Sequence, residues 1–336
     1  MARLRERTRD GKGSATPIAE ARAFVTLDEL MRLRHQARGF GFLPRQPVHS
    51  LLSGRHASRL RGRGLNFEEL RHYAEGDDTR TIDWLATARL GTPHVRVYSE
   101  ERDRPVLLVT DQRGAMFFGS RRAMKSVVAS EAAALAAWRV TSLGDRVGAI
   151  VFGDRDMVSV GPQARDAGAV RVIAEVARQN GALGAGAPLP GAEGQLNEAL
   201  HRAERMATHD WLVCLITDAA GENAETARLV TRLTAHNDVL AIHIHDPLEL
   251  ELPDVGRAVF SSGEAQVEAD SSSAGLRRRY AEDRAAWRAR LTGLSRRRAI
   301  PVLGLSTDRD AAAQLRELIG KRTERRAVSA SGARDD

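Results

Sequence analysis

The sequence predicts an α/β protein built on a doubly wound, mostly parallel sheet. From Pro105 onward, short apolar runs alternate with segments of helical periodicity, as in strands joined by crossover helices. Two runs, 105–111 (PVLLVTD) and 211–218 (WLVCLITD), are apolar without a break, as expected for strands covered on both faces. Each run ends in an aspartate. Because ligands of such sheets bind at the carboxyl ends of the strands, Asp111 and Asp218 are predicted to face one crevice. The alternative is that each aspartate caps the following helix or satisfies the amides of its own loop.

The segments before the sheet are shorter and more polar. The apolar spacing from Ala21 to Arg38 predicts an amphipathic helix. Residues 65–78 (LNFEELRHYAEGDD) are predicted to form a short helix capped by Asn66, with Glu69 three residues later. A further helical segment and a strand are expected at 82–91 and 93–101.

The sheet region itself is expected to contain seven strands and six helices. The strands are predicted at 105–111, 145–153, 157–162, 211–218, 238–246, 257–261 and 299–305, and the helices at 121–142, 165–179, 195–207, 222–235, 274–297 and 308–321. The resulting domain plan is a disordered start (1–20), an N-terminal extension (21–103), the α/β domain (104–322) and a disordered tail (323–336).

Composition narrows the function classes. The single cysteine, Cys214, excludes an internal disulfide and suits a reducing compartment. No apolar run approaches the roughly 18 residues of a membrane span, so a soluble, cytoplasmic protein without membrane insertion is expected. The net charge is +7, with basic flanks around an acidic middle, but only 4% of residues are aromatic. Nucleic acid is therefore an unlikely partner, although an Arg-rich, nucleic-acid-associated protein stays open as an alternative.

The sequence also lacks the usual enzyme motifs. There is no G-x-x-x-x-G-K-[ST] loop and no G-x-S-x-G nucleophile elbow. His243 and His245 lie in a predicted strand without a third histidine nearby, so a metal set is not favoured over ordinary strand histidines. We predict no enzymatic activity, no catalytic residues and no cofactor.

Two segments resemble the domain-of-unknown-function 58 family. The run from Gly62 to Asp111 resembles its signature, with G-D-D-x-R-x-I-D-W at 76–84, and Asp246 begins a D-P-x-E-x-x-L-P turn. The signature residues are Arg71, Tyr73, Gly76, Asp77, Asp78, Arg80, Asp83, Trp84 and Arg89. So dense a set of alternating charges predicts a local network of ion pairs and caps. The alternative is a recognition surface anchored by Trp84 and the arginines.

The resemblance implies a von Willebrand factor A-like domain, a Rossmann-like three-layer fold, with an N-terminal extension. Members of that family are often found together with MoxR-type AAA+ ATPases. The resemblance therefore implies a non-enzymatic adaptor or assembly factor that partners such an ATPase and an unknown client protein.

Von Willebrand A-like domains often hold a divalent cation through D-x-S-x-S, a threonine and a second aspartate. In this sequence the two aspartates are Asp111 and Asp218, but Arg113 and Ala115 stand at the serine positions. Gly194 or Gln195 stands where the threonine is expected. We therefore predict a degenerate site without metal, in which Arg113 pairs with an aspartate inside the protein. A divalent-metal-dependent binding module with a rebuilt site is the remaining alternative.

Overall fold

A computed structural model describes residues 21–37, 65–74, 77–100, 105–184, 192–262 and 265–319. The chain divides into two compact units: the signature unit, residues 46–103, and the sheet unit, residues 1–45 together with 104–336. The predicted disordered ends, 1–20 and 323–336, lie outside the described residues. Residues 21–37, assigned from the sequence to the N-terminal extension, instead contribute Val25 and Leu30 to the core of the sheet unit.

The first described segment starts as extended chain and then forms helix α1 (Leu27–Arg32). A capping box starts this helix, because the Thr26 side chain accepts a hydrogen bond from the Glu29 amide and Glu29 bonds back to the Thr26 amide. A 3-10 turn over Leu33–His35 follows. The helix is thus shorter than the span predicted from apolar spacing alone.

The signature unit contains an antiparallel pair of strands, β1 (Leu65–His72) and β2 (His94–Glu100). The helix predicted over residues 65–78 is therefore wrong. Pairing with β2 outweighs the helical spacing, and the register shifts at a bulge between Phe67 and Glu69. The predicted helical segment is confirmed as α2 (Trp84–Leu90), which ends at Gly91 in the left-handed conformation.

The sheet unit is built on six strands, five of them parallel. They are β3 (Val106–Asp111), β4 (Val147–Phe152), β5 (Met157–Gln163), β6 (Leu212–Thr217), β7 (Asp238–His245) and β10 (Val302–Ser306). Their order is β10-β7-β6-β3-β4-β5, and only β5 runs antiparallel to its neighbour. The chain leaves β3 towards β4 on one side, while β6 lies on the other. The topological switch point therefore falls between β3 and β6.

Seven helices follow β3 in the described part of the sheet unit. They are α3 (Lys125–Ser142), α4 (Arg165–Gly181), α5 (Gln195–Met206), α6 (Ala224–His236), α7 (Pro247–Leu250), α8 (Ala274–Arg297) and α9 (residues 311–319). Among them, α3, α4, α5, α6 and α9 pack on the two faces of the sheet. A separate hairpin pairs β8 (Arg257–Ser262) with β9 (Ala265–Asp270). The predicted order of strands and helices in this region is confirmed; α7 and β9 were not predicted.

Two apolar clusters make a three-layer arrangement. Leu108 of β3 faces the cluster with α1, α3, α4 and α9, and its neighbour Leu107 faces the cluster with α5 and α6. Helix α3 is buried nearly all round, which explains its alanine-rich sequence, because it packs against both the sheet and α4. The predicted α/β fold class with a mostly parallel sheet is confirmed.

Candidate functional site

The predicted crevice lies at the carboxyl ends of β3 and β6. Asp111 is the last residue of β3, and Asp218 follows the last residue of β6. These strands are direct neighbours, so their carboxylates come to the same edge of the sheet. Both are buried: Asp111 is 0% exposed and Asp218 is 5% exposed. Two buried carboxylates this close need neutralising partners.

Arg113 supplies the partner for Asp111. Its Nη2 donates to Asp111 Oδ2 at 2.6 Å and its Nε to Asp111 Oδ1 at 3.0 Å, a two-pronged pairing of guanidinium and carboxylate. The Arg113 side chain is 2% exposed, and the same Nη2 lies 3.8 Å from Asp218 Oδ1. Burial alone would lower the pKa of Arg113, but the charge and hydrogen bonds of Asp111, with Asp218 and Asp154, raise it. The pair predicted from the sequence is present.

Lys125, the first residue of α3, supplies the partner for Asp218. Its Nζ donates to Asp218 Oδ2 at 2.6 Å and to Glu249 Oε1 at 2.6 Å, and its side chain is 3% exposed. Burial opposes the charged form of Lys125, but the two carboxylates outweigh it and raise the pKa of Lys125. Likewise, burial would raise the pKa of Asp218, but Lys125 and Arg113 hold it below its usual value.

The turn that carries Glu249 is fixed from within. Asp246 caps α7 by accepting the Leu248 amide, and Pro247 stands at the first helical position. Asp246 also accepts the backbone amide of Ser120 at 2.8 Å and its hydroxyl at 2.6 Å. Asp246 thus ties α7 to the loop that follows β3, and Glu249 is held against Lys125.

This donor set does not fit a divalent cation. Oxygen ligands of such a cation must converge on one point. Here the carboxylates of Asp111 and Asp218 already face the charged groups of Arg113 and Lys125, and Ala115 offers no oxygen. Among the residues that the structure describes, no three His, Cys, Asp or Glu side chains cluster as a ligand set.

A cavity of about 230 Å³ opens beside this pair of ion pairs. Its lining includes Lys125, Glu249, His243, His245 and Trp287. The two histidine rings stack with centroids 5.7 Å apart, and His243 also packs 5.4 Å from the Trp287 ring. Burial, helped by His245, lowers the pKa of His243 to about 4, so this ring is neutral at pH 7. Arg284 and Arg288 also line this cavity, and the Nη2 of Arg284 lies 3.8 Å from Glu249 Oε1.

The signature residues form local contacts within their own unit. Arg71 pairs with Asp77 through two hydrogen bonds of 2.8 and 2.7 Å. Asp78 caps a 3-10 turn by accepting the Arg80 amide, and Asp83 caps α2 by accepting the amides of Leu85 and Ala86. These contacts are of the kind expected for the ion-pair and capping network.

The other signature residues take less part in that network. The Tyr73 backbone amide donates to the Pro93 carbonyl at 2.8 Å. Arg80 and Arg89 are exposed, and Trp84 is 70% exposed. Gly76 lies outside the described residues. The exposed tryptophan is the feature that keeps the recognition-surface alternative open.

Comparison with known proteins identifies the family. A family model described as "Protein of unknown function DUF58" matches residues 69–290, about two thirds of the chain. The chain belongs to the DUF58 family. The uncharacterized protein Mb1516 of Mycobacterium bovis is 32% identical over 285 residues, which cover 83% of this chain and 86% of that protein. The uncharacterized protein Rv1480 of Mycobacterium tuberculosis gives the same values.

Two solved structures also align with part of the chain. The conserved hypothetical protein BatB from Bacteroides thetaiotaomicron aligns with 66% of this DUF58 chain and 99% of its own, at 14% identity and a TM-score of 0.38. An aerotolerance-related membrane protein from Bacteroides fragilis aligns with 65% and 97%, at 12% identity and a TM-score of 0.34. In the part of this chain that the structure describes, no helix has the length and apolarity needed to cross a membrane.

Sequence reasoning missed Lys125 and Glu249. They lie far from Asp218 in the chain, and only the fold brings the start of α3, the end of β6 and the α7 turn together. A signal was present, because Lys125 is one of only three lysines among 51 basic residues, and Glu249 lies in the D-P-x-E turn. The ammonium of a lysine is a compact point charge, and at Lys125 it bonds to two carboxylates at once.

The neutral state of His243 predicts a pH dependence of stability. The unfolded chain takes up a proton near pH 6.5, whereas folded His243 does so near pH 4, so stability is lost as pH falls through this window. We expect protonation at His243 to lower the free energy of unfolding by about 2 kcal/mol between pH 7 and pH 5. Urea denaturation at both pH values should show a smaller loss for His243→Gln than for wild type. His209→Gln, at a ring that is 75% exposed, is the control and should behave as wild type. An equal loss in wild type and His243→Gln would contradict this assignment.

The cap on α2 gives a test of the signature network. Asp83→Ala should lower stability by about 1 kcal/mol, because two amides at the start of the helix lose their acceptor. Asp83→Asn is the matched control: it keeps the cap without the charge and should melt close to wild type in calorimetry. If the asparagine variant is as unstable as the alanine variant, the charge matters more than the cap. If neither variant is destabilised but both lose a protein partner, the run is a recognition surface.

Proposed function

We propose that this DUF58 chain is a non-enzymatic adaptor or assembly factor. Its sheet unit is a degenerate von Willebrand A-like domain, and its partners are a MoxR-type AAA+ ATPase and a client protein. The observation that carries the proposal is the internal neutralisation of the strand-end crevice by Arg113 and Lys125. Cations of the chain itself occupy the place where a metal-dependent relative would hold its ion.

The buried ion pairs argue against chemistry at this edge. A general acid or base must reach the proton that it transfers. Asp111 and Asp218 are buried, and each already accepts hydrogen bonds from a charged side chain and from backbone amides. Such carboxylates stabilise the fold and are not free to take part in a reaction, which is consistent with a binding module.

The signature unit supports protein binding. Helix α2 exposes Trp84 by 70%, Leu85 by 68% and Leu90 by 59%. Large apolar side chains are costly to leave in water, and tryptophan is enriched among the residues that dominate binding energies. The choice of a MoxR-type ATPase rests on the resemblance of the signature, and the cytoplasm is the compartment that we propose.

The direct test uses this protein with the MoxR-type ATPase of the same organism, both purified. We expect sedimentation velocity to show a complex whose amount depends on bound nucleotide, and Trp84→Ala to weaken it at least tenfold. His209→Gln, a change at an exposed ring elsewhere, is the control. No complex in any nucleotide state would overturn the ATPase partnership. A sequence-selective DNA or RNA complex that survives about 200 mM salt would favour the nucleic-acid alternative instead.

A separate titration tests the closed ion site. Because Arg113 and Lys125 fill the crevice, calorimetry with MgCl₂ or MnCl₂ should show no stoichiometric binding to the wild-type protein. The double variant Arg113→Ser, Ala115→Ser restores hydroxyl groups at both serine positions, and we expect weak cation binding to return. Stoichiometric binding by the wild-type protein would contradict the degenerate site and favour the metal-dependent alternative.

A further inference from the structure

A second cavity lies at the other end of the sheet unit. Helix α3 leaves the carboxyl end of β3 and runs back across the sheet, so its last turn lies at the opposite edge. Helix α4 starts at that edge, because it follows the antiparallel strand β5. Between them, and against the 3-10 turn after α1, is a cavity of about 550 Å³. That volume is within the range of small-molecule sites.

The cavity is rich in positive charge. Its lining includes Arg34, Arg139 and Arg165, with Asp166 as the single acidic side chain. Arg34 stacks its guanidinium 5.2 Å from the centre of the Trp138 ring and pairs with Asp166 at 2.7 Å. Arg34 therefore uses the one carboxylate, and the other two arginines are left as an excess of two positive charges. The partial negative charge at the end of α3 offsets only about half a unit of this excess.

The two remaining arginines have no carboxylate partner among the residues that the structure describes. The Nε of Arg139 is buried without any hydrogen-bond acceptor there, which is a costly state for a charged donor. Arg165 is exposed at the first turn of α4. Both guanidinium groups can thus accept an anionic partner without breaking an existing ion pair.

Arg165 also has an unfavourable backbone. Its φ angle is +65°, in the left-handed region that residues with a side chain rarely adopt. Ala164 precedes α4 and provides no side-chain cap, so the first amides of this 17-residue helix have no side-chain acceptor from that position. Strain of this kind persists where the surroundings hold it, and it is concentrated at binding sites.

We propose that this cavity binds a small soluble molecule that carries a diphosphate group. Arginine forks match phosphate oxygens in a planar, two-pronged manner, and Arg139 and Arg165 lie on the two helices that face each other across the cavity. Two phosphoryl groups match the two arginines that lack a carboxylate. The site is distinct from the strand-end crevice and independent of the adaptor proposal.

The test is calorimetric titration of the full chain with sodium pyrophosphate at 150 mM NaCl. We expect saturable binding with one site per chain, and a loss of at least tenfold in affinity for both Arg139→Ala and Arg165→Gly. Arg165→Gly removes the charge and also relieves the left-handed backbone, so the variant should melt no lower than wild type. A loss of binding in that variant then reports the guanidinium rather than misfolding.

Arg155→Ala is the matched control. Arg155 is an exposed arginine in the turn between β4 and β5, at the other end of the sheet unit. Its removal changes net charge equally and should leave pyrophosphate binding unchanged. Equal weakening by Arg155→Ala and Arg165→Gly would mean diffuse charge attraction and would overturn the site. So would the absence of binding to pyrophosphate combined with binding to phosphatidylcholine vesicles containing phosphatidic acid, because the ligand would then be a lipid surface.

Discussion

Replacing Arg113 with alanine should destabilise the sheet unit by about 3–5 kcal/mol. The change leaves the Asp111 carboxylate buried without its cation, since Arg113 supplies both of the charged hydrogen bonds to it. It also opens a cavity against the Phe152 ring, whose centre lies 5.5 Å from the guanidinium carbon. Urea denaturation followed by circular dichroism measures the effect directly.

Two controls separate the buried ion pair from charge effects in general. Arg121→Ala breaks a pair of 3.9 Å to Asp308 with a side chain that is 69% exposed, and it should cost less than about 1 kcal/mol. Adding Asp111→Asn to Arg113→Ala removes the orphaned charge and should recover part of the loss. If Arg113→Ala costs no more than Arg121→Ala, the guanidinium is not what holds the two strand ends together.

Much of the fold follows from the sequence because its strongest signals are local. The unbroken apolar runs at 105–111 and 211–218 specify strands buried on both faces, and the aspartates that end them locate the crevice. The helix predicted over Leu65–His72 is wrong because the signal for this strand is not local. Its identity as β1 depends on β2, some twenty residues further along the chain, and pairing of that kind leaves no local pattern.

The contacts of the candidate site likewise divide into those that are local in the sequence and those that only the fold creates. Arg113 is two residues beyond Asp111, so its pairing could be predicted from spacing and charge alone. Lys125 and Glu249 could not be placed, because their meeting with Asp218 requires the ends of three separate elements to converge. The D-P-x-E turn is visible in the sequence, but only the structure shows that Asp246 caps the turn while Glu249 bonds to Lys125.

The second large effect is expected at Lys125. Lys125→Met keeps much of the apolar stem but removes the charge that lies 2.6 Å from both Asp218 and Glu249. Asp218 and Glu249 then lose the cation that bonds to both, and each keeps only an arginine nitrogen 3.8 Å away. We expect a loss of about 3–5 kcal/mol at pH 7 in the same denaturation assay. The double variant Lys125→Met, Asp218→Asn should recover part of this loss, because the buried charge is removed with its partner.

The pH dependence of that loss identifies its cause. In wild type the pKa of Asp218 is held below 3.8 against burial, chiefly by Lys125, so its contribution is complete above pH 3.8 and is lost as pH falls through the folded value. Without Lys125, the largest influence that lowers the pKa of Asp218 is removed while burial still opposes the charged carboxylate, so we expect the folded variant to take up a proton more readily than the unfolded chain. The variant should therefore approach wild-type stability as pH is lowered from 7 towards 4. If the difference in stability between wild type and Lys125→Met stays constant over this range, the lost packing of the Lys125 side chain, and not the unpaired carboxylates, causes the instability.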